Sequence, residues 1–398
     1  MKNQAGLQVA LPSLLFRLHH APDINIGDVI FESSGRNVVS LDAVLSELDE
    51  KNEYQAGLEF RTLGLGIQFG KTFLSLQHKV HFQSQINYPK ELAELVWNGN
   101  SQYVGQEVEF GPEAILNSYH DLGLGVSYQI SDKLSVGGRL KLLSGIGTIK
   151  SKEHHASLYT SDDVYQLTFD VDYQLQTSSI LEINGLDEFN YSGEAITFDN
   201  FISKNIGLGL DLGIEYQLSD RIQLAASVVD IGKILWKENT NEFVSQGVHT
   251  HEGIDLSDFF SDEEVDFNVQ LDTVKEIFGF EKMSIGEIET SLPTALYVGG
   301  TFKLNDQWKA GCLFRNIMQD DLNDQAVSIN LQYQPANPLS FGVTFSYLKD
   351  TFANLGLMGL ANLGPVQIFG ATDNVLSLVD SGSSTSISGR LGLALMIK

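Results

Sequence analysis

Cysteine is all but missing from this chain, which has one, Cys312, and proline is scarce, with 8 in 398 residues. A single cysteine excludes an internal disulfide framework and any metal cluster built from several thiolates. Within Ala310-Gly-Cys-Leu-Phe314 it reads as a small packing residue of an apolar strand. No Pro-rich or Ser-rich linker divides the chain into domains. Positive charge is also in short supply, with 25 Lys and Arg against 51 Asp and Glu, a formal net charge of -26. That balance argues against nucleic acid as a partner and against a basic membrane-surface patch, and it points to solvated acidic loops. No run of about 20 apolar residues is present, so a transmembrane helix is not expected. Strands of a membrane barrel carry half as many apolar residues and escape that test. The opening Met1-Lys-Asn-Gln-Ala-Gly6 lacks the apolar core of an export signal, so an exported protein would have lost its signal by processing.

What the chain has instead is alternation, with 42% hydrophobic residues and 37 glycines dispersed along it. Leu122, Leu124, Val126, Tyr128 and Ile130 take every second position, with Asp121, Gly123, Gly125, Ser127 and Gln129 between them. After Ser131-Asp-Lys133 the pattern resumes through Leu134, Val136, Leu140 and Leu142, with Ser135, Arg139 and Lys141 on the other face. The pair is a hairpin of two-faced strands.

The same pattern recurs from Tyr54 to the end. Tight connections at 70-71, 131-133, 219-221, 305-306, 335-338 and 364-365 alternate with longer ones at 85-117, 150-163, 234-292, 317-324, 348-351 and 372-384. Successive antiparallel strands turn at opposite ends, so this order places tight turns on one rim and long loops on the other, as in outer-membrane barrels. A soluble sandwich has no physical reason to sort its loops in this way. Residues 1-53 alternate less cleanly and are expected to form an N-terminal plug or strap, with a short helix near Ser40 to Leu48 capped by Ser40 or Asp42. Residues 54-398 are expected to form the barrel. Helix candidates are Pro89 to Trp97 and the acidic insertion at about 234-292.

Opposite the apolar face lie polar and charged residues. Arg139, Lys141, Asp211, Glu215, Lys303 and Arg390 are the candidate lumen-facing charges, accompanied by Gln217, Gln223, Ser328, Asn330, Gln332 and Thr344. In a barrel such a face meets a wet or hydrogen-bonded lumen while the apolar face meets lipid. Tyr128, Tyr216, Phe302, Tyr333 and Tyr347 gather at strand ends, where an interfacial girdle is expected, although ordinary strand propensity also favours aromatics there.

Several runs carry a resemblance: Asn205-Ile-Gly-Leu-Gly-Leu-Asp-Leu-Gly-Ile-Glu-Tyr216, Ser227-Val-Val-Asp-Ile-Gly-Lys-Ile-Leu-Trp236, Val136-Gly-Gly-Arg-Leu-Lys-Leu-Leu-Ser-Gly145, Leu363 to Asn374 and Gly389-Arg-Leu-Gly-Leu393. They resemble a Bacteroidota outer-membrane barrel family whose domain has no assigned function. That family is similar in form to fatty-acid-transporter-like barrels and to outer-membrane components of the type IX secretion pathway. The resemblance implies an all-β, antiparallel transmembrane barrel of about 14 strands with short periplasmic turns, long extracellular loops and a few short helices. It also implies outer-membrane lipid and lipopolysaccharide as surroundings. The chain departs from many such barrels by ending on Met396-Ile-Lys398 rather than on an aromatic residue.

Enzyme chemistry has no anchor. Gly66-Ile-Gln-Phe-Gly70-Lys-Thr72 has three residues between its glycines where a phosphate loop needs four, and no Gly-x-Ser-x-Gly elbow is present. His154-His155 and His249-Thr-His251 lack the further ligands a metal site requires, and they are expected on loops as solvated histidines. Asp255 to Asp266 is acidic enough to attract calcium but lacks the glycine and closing glutamate of an EF-hand, so it is read as a solvated face. The expected protein is therefore not an enzyme and uses no cofactor. Two functions stay open: a conduit or transporter for small solutes, apolar ones included, and a non-conducting, secretion-associated platform that docks a partner at 234-292.

Overall fold

The computed structural model describes residues 6–22, 30–33, 36–163, 166–179, 203–251, 279–319, 322–336, 338–348, 351–375 and 386–397. The chain opens with β1 (Leu7–Ala21), a small hairpin of β2 (Ile30–Ser33) and β3 (Arg36–Val39), and helix α1 (Leu41–Glu47). There follow β4 (Lys51–Phe69), β5 (Thr72–Pro89), α2 (Lys90–Asn98), β6 (Glu107–Glu109), β7 (Glu113–Gln129) and β8 (Leu134–Thr160). Next come β9 (Leu167–Ser179), β10 (Ile206–Gln217), β11 (Ile222–Trp236), β12 (Asn241–His251), β13 (Glu281–Ser284) and β14 (Ile288–Ser291). The last are β15 (Thr294–Lys303), β16 (Trp308–Gln319), β17 (Leu322–Ala336), β18 (Leu339–Leu348), β19 (Thr351–Leu363), β20 (Val366–Thr372) and β21 (Ser386–Ile397). No helix among the described residues is long and apolar enough to cross a membrane.

Fourteen of the described strands close a ring. The antiparallel order is β1, β4, β5, β7, β8, β10, β11, β15, β16, β17, β18, β19, β20 and β21, and β21 pairs back onto β1. Closure leaves no unpaired sheet edge within the ring, which a hydrocarbon environment demands. The alternation becomes two surfaces. Leu124 and Leu391, 63% and 67% exposed, belong to outward rows of Leu, Val, Ile, Phe and Tyr that cover the ring. The inward rows are polar, charged or glycine. The structure is thus an antiparallel transmembrane barrel.

Tight turns at residues 70–71, 130–133, 218–221, 304–307, 337–338 and 364–365 share one rim. Gly70 and Gly364 adopt φ of 54° and 65°, a left-handed conformation that costs glycine little. The opposite rim is taller. β8 runs on for 27 residues, its far end pairs with β9, β9 pairs with β12, and β12 pairs with β13. This sheet stands above the ring on its own small core of Val108, Leu158, Leu167, Phe169 and Val171.

Five sequence expectations are corrected here. Leu7–Ala21 is not a plug, because it hydrogen-bonds β21 along one edge and β4 along the other and so closes the ring. A bulge between Ala10 and Ser13 switches the outward row from Leu7 to Leu14 and Leu18, and this phase change blurs its alternation. Residues 150–160 are strand rather than loop, and the described parts of 234–292 are strands rather than helix. His154, His155 and His249 accordingly sit on strands, where His155 Nδ1 lies 3.1 Å from Glu109 Oε2. Within the expected connections at 317–324 and 348–351, β16 continues as strand to Gln319, β17 begins at Leu322, β18 continues to Leu348 and β19 begins at Thr351. The acidic run Asp255 to Asp266 and the amphipathic run 265–278 lie outside the described residues.

The two short helices carry the expected caps. Ser40 Oγ accepts the Ala43 N–H at 3.2 Å, and Pro89 precedes α2 while Gly99, at φ 70°, ends it.

Candidate functional site

The inward face of the ring is most heavily charged where β8, β10 and β11 meet. Leu140 and Leu142 point outward, so Arg139 and Lys141 on the same strand point inward. Asp211 is register-paired with Arg139 and accepts from its Nη1 at 3.2 Å through Oδ2. Its Oδ1 lies 2.7 Å from Lys141 Nζ and also accepts the backbone N–H of Asp230 at 2.9 Å. Lys141 Nζ reaches Asp230 Oδ1 at 2.5 Å. Side chains of Lys141 and Asp211 are only 6% and 11% exposed, so each charge depends on its partners for solvation.

A backbone irregularity creates this cluster. Asp230 adopts φ 60° at a bulge of β11, where the register with β10 slips between Leu210 and Leu212. The same level marks the break between β14 and β15: the Leu292 N–H donates to the Gly232 carbonyl at 2.9 Å and Thr294 Oγ1 donates to the Asp230 carbonyl at 3.0 Å. Asp211 satisfies the amide that the bulge frees. On β7, a Cβ at Gly123 would lie 2.8 Å from Arg139 Cδ, so the glycine gives the arginine side chain room to lie along the wall.

Neighbouring strands extend the belt. Lys79 Nζ donates to Glu59 Oε2 at 2.9 Å across β4 and β5. His81 Nε2 lies 3.6 Å from Asp121 Oδ2, and its ring stacks on Tyr119 at 4.8 Å. On the far wall Arg315 Nη2 donates to Asp324 Oδ2 at 2.6 Å, and the Arg390 guanidinium lies 5.9 Å from the centre of the Phe369 ring.

Toward the tall rim the interior turns apolar. Trp236, fully buried, packs with Tyr119, Leu143, Ile234, Ile288 and Leu292, and its Nε1–H donates to Thr290 Oγ1 at 2.8 Å. This stopper narrows the ring on one side. Beside and below it are cavities. One of about 820 Å³ is bordered by Arg139, Asp211, Glu215 and Gln223; one of about 260 Å³ by Arg17, Glu59, His81 and Asp230; one of about 520 Å³ by Arg17, Arg315, Asn330, Thr344 and Arg390.

Of the residues singled out in the sequence, Arg139, Lys141 and Asp211 come together. Glu215 sits nearer the tight-turn rim, facing Ser135. Lys303 is at that rim and pairs with Asp306 of its own turn at 2.7 Å. Arg390 is on the opposite wall, apart from the cluster. Sequence reasoning missed Asp230, Glu59, Lys79 and Asp121. Asp230 was detectable, because Val228-Val229-Asp230-Ile231 is where the alternation slips. Among the described residues no group of three or more His, Cys, Asp or Glu is placed to hold a metal ion.

Ring, apolar exterior and ion-paired, cavity-bearing interior define the class: a membrane-spanning β-barrel with a polar lumen. The chain belongs to the Family of unknown function (DUF5723), whose pattern matches residues 3–373. No curated protein matches its sequence. Similar solved structures include a TodX deltaS2S3 mutant monoaromatic hydrocarbon channel, with 11% identity and a TM-score of 0.46 over 98% of this chain and 90% of that one. The CymD monoaromatic hydrocarbon channel has 11% identity and a TM-score of 0.45, over 100% of this chain and 90% of its own. A Pseudomonas aeruginosa FadL homologue has 9% identity and a TM-score of 0.44, over 100% and 91%.

Proposed function

We propose that this chain is an outer-membrane conduit for small polar solutes, with its tight-turn rim in the periplasm and its tall rim outside, surrounded by outer-membrane lipid and lipopolysaccharide. The observation that carries this reading is the set of cavities inside the closed ring, bordered by Arg17, Glu59, Arg139, Asp211 and Arg390. Such walls solvate polar solutes. An apolar solute would displace water from these groups without replacing its hydrogen bonds, at a cost of roughly 1 to 3 kcal/mol for each group left unpaired. The solutes favoured are therefore small and polar, while Phe73, Tyr297 and Leu313 of the same walls keep open the apolar ones admitted from the sequence. Single-channel recording of the purified chain in planar bilayers tests this: stepwise conductance is expected, and a silent membrane holding folded barrel overturns it.

A second reading has its own observation. The sheet of β8, β9, β12 and β13 stands clear of the ring and offers a surface that transport does not require. On that reading the barrel is a platform, secretion-associated or otherwise, that docks a protein at residues 234-292. A stable partner that copurifies with the full chain and is lost on deletion of residues 240-290 supports it, and a barrel that conducts but purifies alone counts against it.

A further inference from the structure

The charges of the lumen are not evenly matched around the ring. Along β7, β8, β10 and β11 the carboxylates Asp121, Asp211 and Asp230 meet Arg139, Lys141 and, from the neighbouring β5, His81. The wall formed by β21, β1, β4 and β5 is different. Leu15 of β1 stands opposite Arg390 on one side and Glu59 on the other, Arg17 is one inward step further along β1, and Arg61 lies one inward step from Glu59. Arg61 is register-paired with Lys79 on β5. Arg17, Arg61, Lys79 and Arg390 therefore lie around Glu59, which Lys79 holds at 2.9 Å, and on its other side Lys79 stands opposite Asp121 of β7.

Two features of this wall run against expectation. Like charges directly opposed on neighbouring strands repel, yet Arg61 faces Lys79. The chain carries twice as many acids as bases, yet the bases collect here. Among the described residues Arg17, Arg61 and Arg390 form no ion pair, and Arg61 Nε is buried with no hydrogen-bond partner. Arg17 borders both the 260 Å³ and the 520 Å³ cavities, and Arg390 borders the larger. Guanidinium groups present paired N–H donors whose geometry suits an oxyanion. In a partly desolvated lumen such an anion would relieve the repulsion that the fold leaves in place.

We propose that Arg17, Arg61, Lys79 and Arg390 form an anion-binding site on the lumen wall for a small multivalent oxyanion of the inorganic phosphate or sulfate kind. The site gives the conduit a solute class and relies on that reading for its route of access; binding itself does not depend on conduction. The cavity of about 520 Å³ that Arg17 and Arg390 border has room for such an anion.

Calorimetric titration of the detergent-solubilised full chain with inorganic phosphate at low ionic strength tests the site. Saturable binding is expected, weakened at least tenfold in a variant carrying Arg61→Gln and Arg390→Gln, with Arg61→Lys alone retaining most of it. Phosphate and sulfate titrations without saturation, or an affinity unchanged in the double variant, overturn the proposal. Should the double variant fail to fold, Arg17→Gln, which removes a cation from the cavity border, is titrated in its place against the same criterion. A salt-gradient reversal potential then separates the two readings. Anion preference supports both, cation preference together with loss of saturable phosphate binding overturns the oxyanion site alone, and silence with phosphate binding intact overturns only the conduit.

Discussion

Arg139 and Lys141, two residues apart on one strand, share a single carboxylate: Asp211 holds the first at 3.2 Å through Oδ2 and the second at 2.7 Å through Oδ1. The same Oδ1 accepts the amide of Asp230 at the bulge of β11. One side chain thus fixes two cations and the irregular backbone between β10 and β15, coupling the charge of the lumen to the shape of the wall.

Asp211→Leu should therefore destabilise the barrel by about 3 kcal/mol, because it strands Lys141 between one partner and a low-polarity wall and leaves the bulge amide unsatisfied. Asp211→Asn, which keeps an acceptor for that amide, should lose less. Urea midpoints of folding into lipid vesicles measure both. Equal losses would show that charge, not the capped bulge, is what Asp211 supplies.

The apolar stopper makes a separate prediction through Gly145. A Cβ at that position would sit 2.4 Å from the Trp236 ring. Gly145→Leu should displace the indole from Thr290 and shift its emission to the red, at a cost of about 1 to 3 kcal/mol. Comparing each chain with its Trp236→Phe counterpart isolates this signal from Trp97 and Trp308.

Depth along the outer face should be readable in the same way. Leu124→Arg, in the middle of an outward row, should cost about 2 to 4 kcal/mol, whereas Leu218→Arg beside the tight turn should cost about 0 to 1 kcal/mol. Similar costs at both sites would mean that no hydrocarbon band surrounds the ring.

Cys312 offers a test without mutation. It is exposed on an outward row of β16, between Ala310 and Phe314 and register-paired with Gly300 and Ile329. Its thiol should resist a charged, membrane-impermeant thiosulfonate in proteoliposomes and react fully once the chain is unfolded in urea. Fast labelling of the folded, lipid-embedded chain would place it in water.

Much of the barrel was legible in the sequence because a two-faced wall imposes strict alternation. Leu122 to Tyr128 and Ile206 to Tyr216 announce their strands, and turns such as Gly364-Pro365 announce the rim. Legibility failed where the constraint weakens. The bulge at Ala10–Ser13 broke the phase of β1 and hid a ring strand as a plug. Above the apolar band neither face of a strand must be hydrophobic, so β8 beyond Lys150 looked like loop and β12 looked like part of a helical insertion. Of the site, single inward charges could be listed from alternation, but their pairing depends on which strands become neighbours. Asp211 meets Lys141 because β10 lies beside β8, with β9 displaced into the upper sheet, and no local pattern encodes that.

The central claim is that hydrocarbon lies outside this ring and polar groups lie within it. Its most direct test is a nitroxide scan of residues 122 to 127 on β7, in a Cys312→Ala background reconstituted into bilayers. Labels at 122, 124 and 126 should be relaxed by oxygen and shielded from a water-soluble nickel complex, and labels at 123, 125 and 127 should show the opposite. Accessibility that does not alternate, or that alternates with the leucine positions on the aqueous side, would contradict the account.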